Sequence, residues 1–425
     1  MPPFSRRLAS CWLLFFASLV VCPGAAAATP RNELLRLVPP DVGFCLVIED
    51  LRGRSAAFFA SDFARHFRES PLARALAQDP EVRKLLAFDQ VLQKQLGISA
   101  ARLRDDILGD AVVVAYRPGP PGKPEQEQGL FLVRARDARL LAELVQRLDQ
   151  VQKESGELKE VEIRTYQGRT YHRRVERKGE TYYYRSGPLL ALSPQEAMLR
   201  QALACDLTAP ADEEPPIACQ LRRLGADRQL VAVWINPRAF TAEIEGKAGR
   251  AGAAEAAALN NFLTYWKALE GIALSAGAPQ DFELRLSLRA RTEELPAPAR
   301  RLLAAAAQPA SLWARFPDDA LLAAAGRLDA EALLGVLDGF LTPATRRALY
   351  DSLDRTLGAA LGRAGIKELL PHIGPEWGLC VTAPPAGSNW FPHAVLALQV
   401  RPGNPTDPVD QALLSALHSC AMLAV

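Results

Sequence analysis

Chemistry-bearing patterns are scarce in this 425-residue chain. Its five histidines, His66, His172, His372, His393 and His418, are scattered one to a segment. No His-Glu-x-x-His, His-x-His or Cys-x-x-Cys occurs, which excludes the compact zinc-ligand spacings. There is no Ser-x-x-Lys. The nearest approach to a Gly-x-Ser-x-Gly elbow, Ala273-Leu274-Ser275-Ala276-Gly277, lacks the first glycine and does not run into a helix, so it reads as a strand end. Gly246, Gly249 and Gly252 are spaced by three among Lys, Arg and Ala without a strand-to-helix turn, and read as a flexible loop, not a phosphate cradle. The acidic pairs Asp105-Asp106, Glu213-Glu214 and Asp318-Asp319 fall at turns or in a linker, where solvated caps explain them. No catalytic residue, metal or cofactor is assigned on this evidence.

Long apolar runs are equally rare. Arg6 and Arg7 precede an uncharged run over 8–21, followed by Pro23, Gly24 and the small residues 25–28. That charged, apolar, small-residue order predicts a secretory signal peptide over 1–28, cleaved after Ala26 or Ala28. A lipidated Cys22 meets Val21 where a small residue is wanted, and Ser5-Arg6-Arg7 carries only the start of a twin-arginine signal. No later stretch reaches the roughly 20 apolar residues of a membrane span, so a soluble periplasmic or secreted protein is expected. The chain has 50 basic and 48 acidic residues; losing Arg6 and Arg7 leaves 48 of each. A neutral mature chain gives no electrostatic argument for nucleic acid. The remaining cysteines, Cys45, Cys205, Cys219, Cys380 and Cys420, are odd in number and cannot all pair internally. Cys205 and Cys219 flank a linker and are the one candidate disulfide; the others read as small buried hydrophobes.

The stretch 107–148 organises what is present. It holds an apolar run at 111–116, a Pro/Gly-rich loop, a second run at 129–133 and an amphipathic segment from Asp137: strand, turn, strand, helix. Before it lie a strand-like run at 42–48 and a helical stretch over 55–96, divided at Pro71 and Pro80. The same order returns over 230–306 and over 320–400, with a last helix from Asp407. Val38-Pro39-Pro40-Asp41 matches Phe316-Pro317-Asp318-Asp319, and Leu108-Gly109-Asp110 loosely matches Ile373-Gly374-Pro375. The expected fold is therefore α+β: three β-α-β-β-α units, antiparallel sheets covered by helices. The expected division is 29–207, a linker at 208–216, then 217–308 and 309–425. The third unit lacks a meander like the first and stops at Val425, which leaves its sheet edge to a partner chain, a homo-oligomer among the choices, or marks a shortened relative.

An inserted β-meander over 161–192 completes the first unit. Its period is two, and its turns are Gln167-Gly168, Lys178-Gly179 and Gly187-Pro188. Ser193-Pro194-Gln195-Glu196 then predicts a capping box opening a helix to about Ala204. The meander concentrates basic and aromatic residues, with Arg169, Tyr171, His172, Arg173, Arg174, Tyr182 and Tyr184 as candidate binding residues for an anionic glycan, peptide or protein. Cross-strand Tyr/Arg pairs that stabilise a half-exposed sheet are the competing reading.

Leu37-Val38-Pro39-Pro40-Asp41, the Leu-Gly-Asp strand over 108–115 and the hairpin Tyr166-Gln167-Gly168-Arg169-Thr170-Tyr171, behind a signal peptide, resemble a family of exported bacterial proteins known only as a domain of unknown function. The resemblance covers mainly the first half and implies location and class, with no active site. The expected function is a non-enzymatic binding or scaffold module acting on a protein or cell-envelope component. The alternative is an extracytoplasmic hydrolase or isomerase whose residues converge only in three dimensions.

Overall fold

A computed structural model describes residues 29–79, 89–208, 210, 213–277, 283–355, 370–383, 393–401 and 411. The signal segment, the helix expected from Asp407, Cys420, His418 and part of the 208–216 linker lie outside the described residues. Two compact units are formed, one from Met1–Ala239 and Gly271–Leu288, the other from Phe240–Glu270 and Arg289–Val425. Antiparallel sheets under helices make the fold α+β.

The first unit is built on a ten-stranded sheet of order β10-β9-β8-β1-β2-β3-β7-β6-β5-β4. At its centre β1 (Phe44–Glu49) pairs antiparallel with β2 (Ala111–Arg117), and β2 with β3 (Gln128–Arg134). Their apolar alternation places Cys45, Val47, Ala111, Val113, Ala115, Leu130 and Leu132 on one face. That face is sealed by α1 (Pro30–Leu35), whose Thr29 cap and Pro30 start fix its position and whose Leu34 and Leu35 are fully buried. Between β1 and β2 the helical stretch breaks into α2 (Leu51–Ala60), α3 (Asp62–Glu69) and α4 (Pro71–Gln78). Ser61 as well as the Ser70-Pro71 pair ends a helix there: Ser61 Oγ accepts from Ala64 N–H at 3.2 Å and Ser70 Oγ from Ala73 N–H at 3.1 Å.

On the opposite face, α5 (Ala138–Glu154) packs Leu141 with Val133, Ile98 and Ile107. The meander follows as β4 (Leu158–Tyr166), β5 (Arg169–Glu176), β6 (Glu180–Ser186) and β7 (Leu189–Ser193), and β7 joins it to β3. After it come α6 (Glu196–Thr208) and α7 (Pro216–Arg223), which bury Met198, Leu199, Leu203, Ile217 and Leu221 in the main core.

The far side of the sheet differs from the sequence division. β8 (Val231–Ile235), β9 (Leu269–Gly277) and β10 (Glu283–Ala290) do not form a sheet of their own; β8 pairs with β1, so the strands expected in 217–308 extend the first sheet. The physical reason is the second edge of β1, a strand apolar from Phe44 to Ile48 whose backbone groups must be paired when buried. Ser275 is buried within β9, as a strand residue. The 246–252 stretch is not a loop: Gly246 and Gly249 lie within α8 (Pro237–Arg250), and Gly252 caps α9 (Ala253–Ala268).

In the second unit, α9, α10 (Ala297–Ala306) and α11 (Ala330–Asp338) meet around Ala268, Leu295 and Ala299, with Tyr265 and Val336 packed on them. Tyr265 stacks on Phe340 at 5.5 Å between ring centroids. A three-stranded antiparallel sheet has the order β11 (Leu322–Arg327), β12 (Ile373–Thr382), β13 (His393–Val400). Asp329 and Thr342 cap α11 and α12 (Pro343–Leu353), as their position before each helix predicts.

Candidate functional site

The meander gathers the candidate binding residues, but on two faces and mostly inward. In β5 the alternation sends Tyr171 and Arg173 toward α6, and His172 and Arg174 toward α5. Registers of Arg173 opposite Tyr182 and His172 opposite Tyr183 put Tyr182 and Tyr184 on the α6 face and Tyr183 on the other. Tyr171 is fully buried, Tyr182, Tyr183 and Tyr184 are 6–7% exposed, and Arg174 is 5% exposed. Tyr171, Arg174, Tyr182 and Tyr184 thus form the inside of a sheet-helix layer, while Arg169, His172 and Arg173 are half-buried.

On the α6 face Glu196 is the hub. Its carboxylate accepts from the Tyr171 hydroxyl, from Arg164 at 3.1 and 3.2 Å and from Arg200 at 2.8 Å, while Arg200 also donates to the Tyr171 oxygen at 3.0 Å. Burial pushes this carboxyl up, and the bonds from Tyr171 and Arg164 more than offset that, leaving it below the usual carboxylate range. The capping box expected from Ser193 and Glu196 is not made: Ser193 Oγ accepts from Gln195 N–H at 3.1 Å and donates to Gly129 O at 2.7 Å, and Glu196 turns to the meander instead. Arg173 bridges two strands, donating to Glu162 at 2.9 and 3.0 Å and to Glu180 at 2.9 Å. Glu180, which also accepts from the Tyr182 hydroxyl, is held down at about 2 by Arg173 first and Tyr182 second. Arg169 pairs with Asp206 at 2.8 Å and lies over the Tyr184 ring.

On the α5 face Arg174 meets Asp149 at 3.0 Å and Glu176 at 3.3 Å and donates to Gln152. Burial raises the Asp149 carboxyl, against the pull of Arg174. His172 stacks on Tyr183 at 4.6 Å between centroids, and its buried Nδ1 has no hydrogen-bond partner among the described residues. Burial, with Arg185 second, lowers its imidazole below the ordinary value, and Asp149 opposes them. Sequence reasoning did not bring Asp149 near His172, on which it acts electrostatically; Asp149 comes from the helix of the opening unit, which no spacing links to the meander.

Cys205 and Cys219 carry free thiols, so the candidate bridge is not formed. Cys205 lines a cavity of about 250 Å³ with Arg36, Val38, Pro40, Glu214 and Pro216. A polar groove of about 690 Å³ runs along α5 between Lys94, Glu143, Arg147 and Glu154. In the second unit a cavity of about 410 Å³ lies between α10, α11 and Tyr350. Neither His172 nor Asp149 lines any of the three. Among the described residues no group of three or more His, Cys, Asp and Glu could hold a metal ion, and no helix is long and apolar enough to cross a membrane.

What stands open lies elsewhere. On β10, at the end of the ten-stranded sheet, Leu284, Leu286 and Leu288 are 64, 63 and 59% exposed at alternate positions. On β13, at one end of the three-stranded sheet, Val395, Leu396 and Leu398 are 59, 66 and 53% exposed. Comparison with known proteins finds no matching family model, curated protein or solved structure.

Proposed function

We propose that this chain is an exported, non-enzymatic binding or scaffold protein that holds a protein or cell-envelope component on its open sheet edges. The observation that supports the reading most is the row of exposed leucines on β10. Three alternate leucines on a strand whose outer side pairs with no other strand among the described residues combine a backbone edge with an apolar strip, which is the chemistry of strand addition. Arg164, Arg169, Arg173 and Arg174 of the meander contribute by holding its strands to one another and to α5 and α6, since carboxylates on those strands and helices match their charges. Export rests on the signal-like order of residues 1–28, and membership of the exported family rests on the Leu-Val-Pro-x-Asp and Tyr-x-Gly-x-x-Tyr stretches.

A photo-cross-linking residue at Leu286, set against one at Arg173, tests this in the native extracytoplasmic compartment. The expected result is one recurrent partner captured from position 286, lost in a Leu288→Glu background, and little from position 173. Recovery of the protein uncleaved in the cytoplasm, or equal capture from both positions, would sink the reading.

A second reading, a hydrolase or isomerase, has one observation in its favour, the unpartnered Nδ1 of His172 beside the raised carboxyl of Asp149. Against it stands the Arg174–Asp149 ion pair, which occupies the carboxylate that would orient the ring.

A further inference from the structure

We propose that two copies of this chain associate through β11, forming across the molecular surface the same antiparallel junction that β1 and β8 form inside the first unit. The inference is independent of the partner captured by β10 and β13. Both β1 and β8 open a run of strand, helices and two further antiparallel strands: β1 before α2, β2 and β3, and β8 before α8, α9, β9 and β10. Their ladder is symmetric about Leu46 opposite Val233, with Cys45 opposite Trp234 and Val47 opposite Ala232 on either side. β11 opens a third run of the same order, before α11, α12, β12 and β13. It is the end strand of its sheet, and among the described residues no strand pairs with its outer side.

Backbone bonds put β1 and β11 in register, 278 residues apart. Gly43 N–H donates to Tyr116 O at 2.9 Å on the neighbouring strand, and Leu321 N–H to Val381 O at 2.8 Å. At the other end Asp50 N–H donates to Asp110 O at 3.0 Å, and Leu328 N–H to Pro375 O at 2.5 Å. The strands Phe44–Glu49 and Leu322–Arg327 thus correspond residue for residue. In β1 the odd-numbered residues face β8: Glu49 N–H donates to Leu230 O at 3.0 Å, and Gly43 O accepts from Asn236 N–H at 2.8 Å. By the same alternation the amides and carbonyls of Ala323 and Ala325, the amide of Arg327 and the carbonyl of Leu321 aim at the open edge.

Transferring the β1–β8 register to two copies sets Ala324 opposite its own counterpart on a two-fold axis. Ala323 then exchanges both backbone bonds with Ala325 of the second copy, and Arg327 N–H donates to its Leu321 O. Residues 323–326 carry nothing larger than a methyl group, so the strands close without obstruction, and Leu321 and Leu322, 65 and 53% exposed, come under cover.

The test is sedimentation velocity of the purified mature chain over a wide concentration range, with two variants. Ala325→Pro removes an outward amide and leaves the ladder to β12, the one place in a strand where proline is tolerated; it is expected to weaken the dimer by more than about tenfold. Ala324→Cys puts two thiols directly across the axis in a non-hydrogen-bonded pair, and oxidation is expected to give a covalent dimer that wild type treated in parallel does not give. A monomer at every concentration with no Ala324→Cys cross-link overturns the proposal. So does a dimer that shows no such cross-link and is unaffected by Ala325→Pro, because its interface is elsewhere. Should Ala325→Pro fail to fold, the Ala324→Cys result decides.

Discussion

At the scale of residues, the meander shows how polar groups become structural when each finds a partner under cover. Glu196 serves Tyr171, Arg164 and Arg200 at once. Truncating it leaves a buried phenol hydroxyl and two guanidinium groups facing one another, so Glu196→Ala is expected to cost about 1–3 kcal/mol in urea denaturation. Tyr171→Phe, which removes one donor and keeps the ring, should cost less. His172 gives a pH-dependent counterpart. Its ring is neutral in the fold to lower pH than in the unfolded chain, where it takes a proton near about 6.5. Stability is therefore lost as pH falls below about 6.5 through the lowered folded value. The raised carboxyl of Asp149 acts with the opposite sign, stabilising at low pH and losing effect as pH rises. Glu162, Glu180 and Glu196, all lowered, stabilise above the ordinary carboxylate value and lose that effect as pH falls below it. Urea midpoints at pH 7.5 and 5.5 isolate the histidine: His172→Phe keeps the stack on Tyr183 and is expected to flatten the decline seen in wild type.

At the scale of elements, local chemistry decides what could be read in advance. The meander strands were legible because each ends at a turn with its own backbone requirement; Gln167 and Gly168 both have positive φ, 47° and 79°, the two-residue reversal that joins β4 to β5. Nothing lies within 4 Å of a Cβ built on Gly168, so Gly168→Ala is expected to cost about 1 kcal/mol from backbone conformation alone. Gly129, equally uncrowded but with no positive φ, is the control, and its alanine variant should unfold at the wild-type denaturant midpoint or above. The same locality explains the misreadings. Ser61 ends one helix and opens the next through two side-chain bonds, to Phe58 O and from Ala64 N–H, inside an unbroken helical pattern, and α8 forms through two glycines that a spacing argument reads as a loop. The direction of the candidate side chains was only half legible: alternation grouped Arg173 with Tyr171 and Tyr182 with Tyr184, but which face is buried depends on where α5 and α6 settle.

At the scale of the whole molecule, the linker at 208–216 looks like a border in composition and is not one in structure. The strand that follows it, β8, is bonded along its length to β1, and α7 brings Ile217, Ala218 and Leu221 into the core that Leu34, Cys45 and Val47 occupy. No period or motif encodes that pairing, since the two strands lie nearly two hundred residues apart and each alone satisfies the pattern of an independent sheet. The consequence is measurable by introducing a protease site between Glu213 and Glu214 and cutting the folded protein. If the linker divided independent domains, the two pieces would part on gel filtration at low concentration. The β1–β8 ladder and the buried residues of α7 instead hold them together, so they are expected to co-elute as the uncut chain does and to separate only in denaturant. Mixing the separated pieces after removal of denaturant should restore the complex, and a Val233→Pro substitution, which places proline in a central strand, should prevent it.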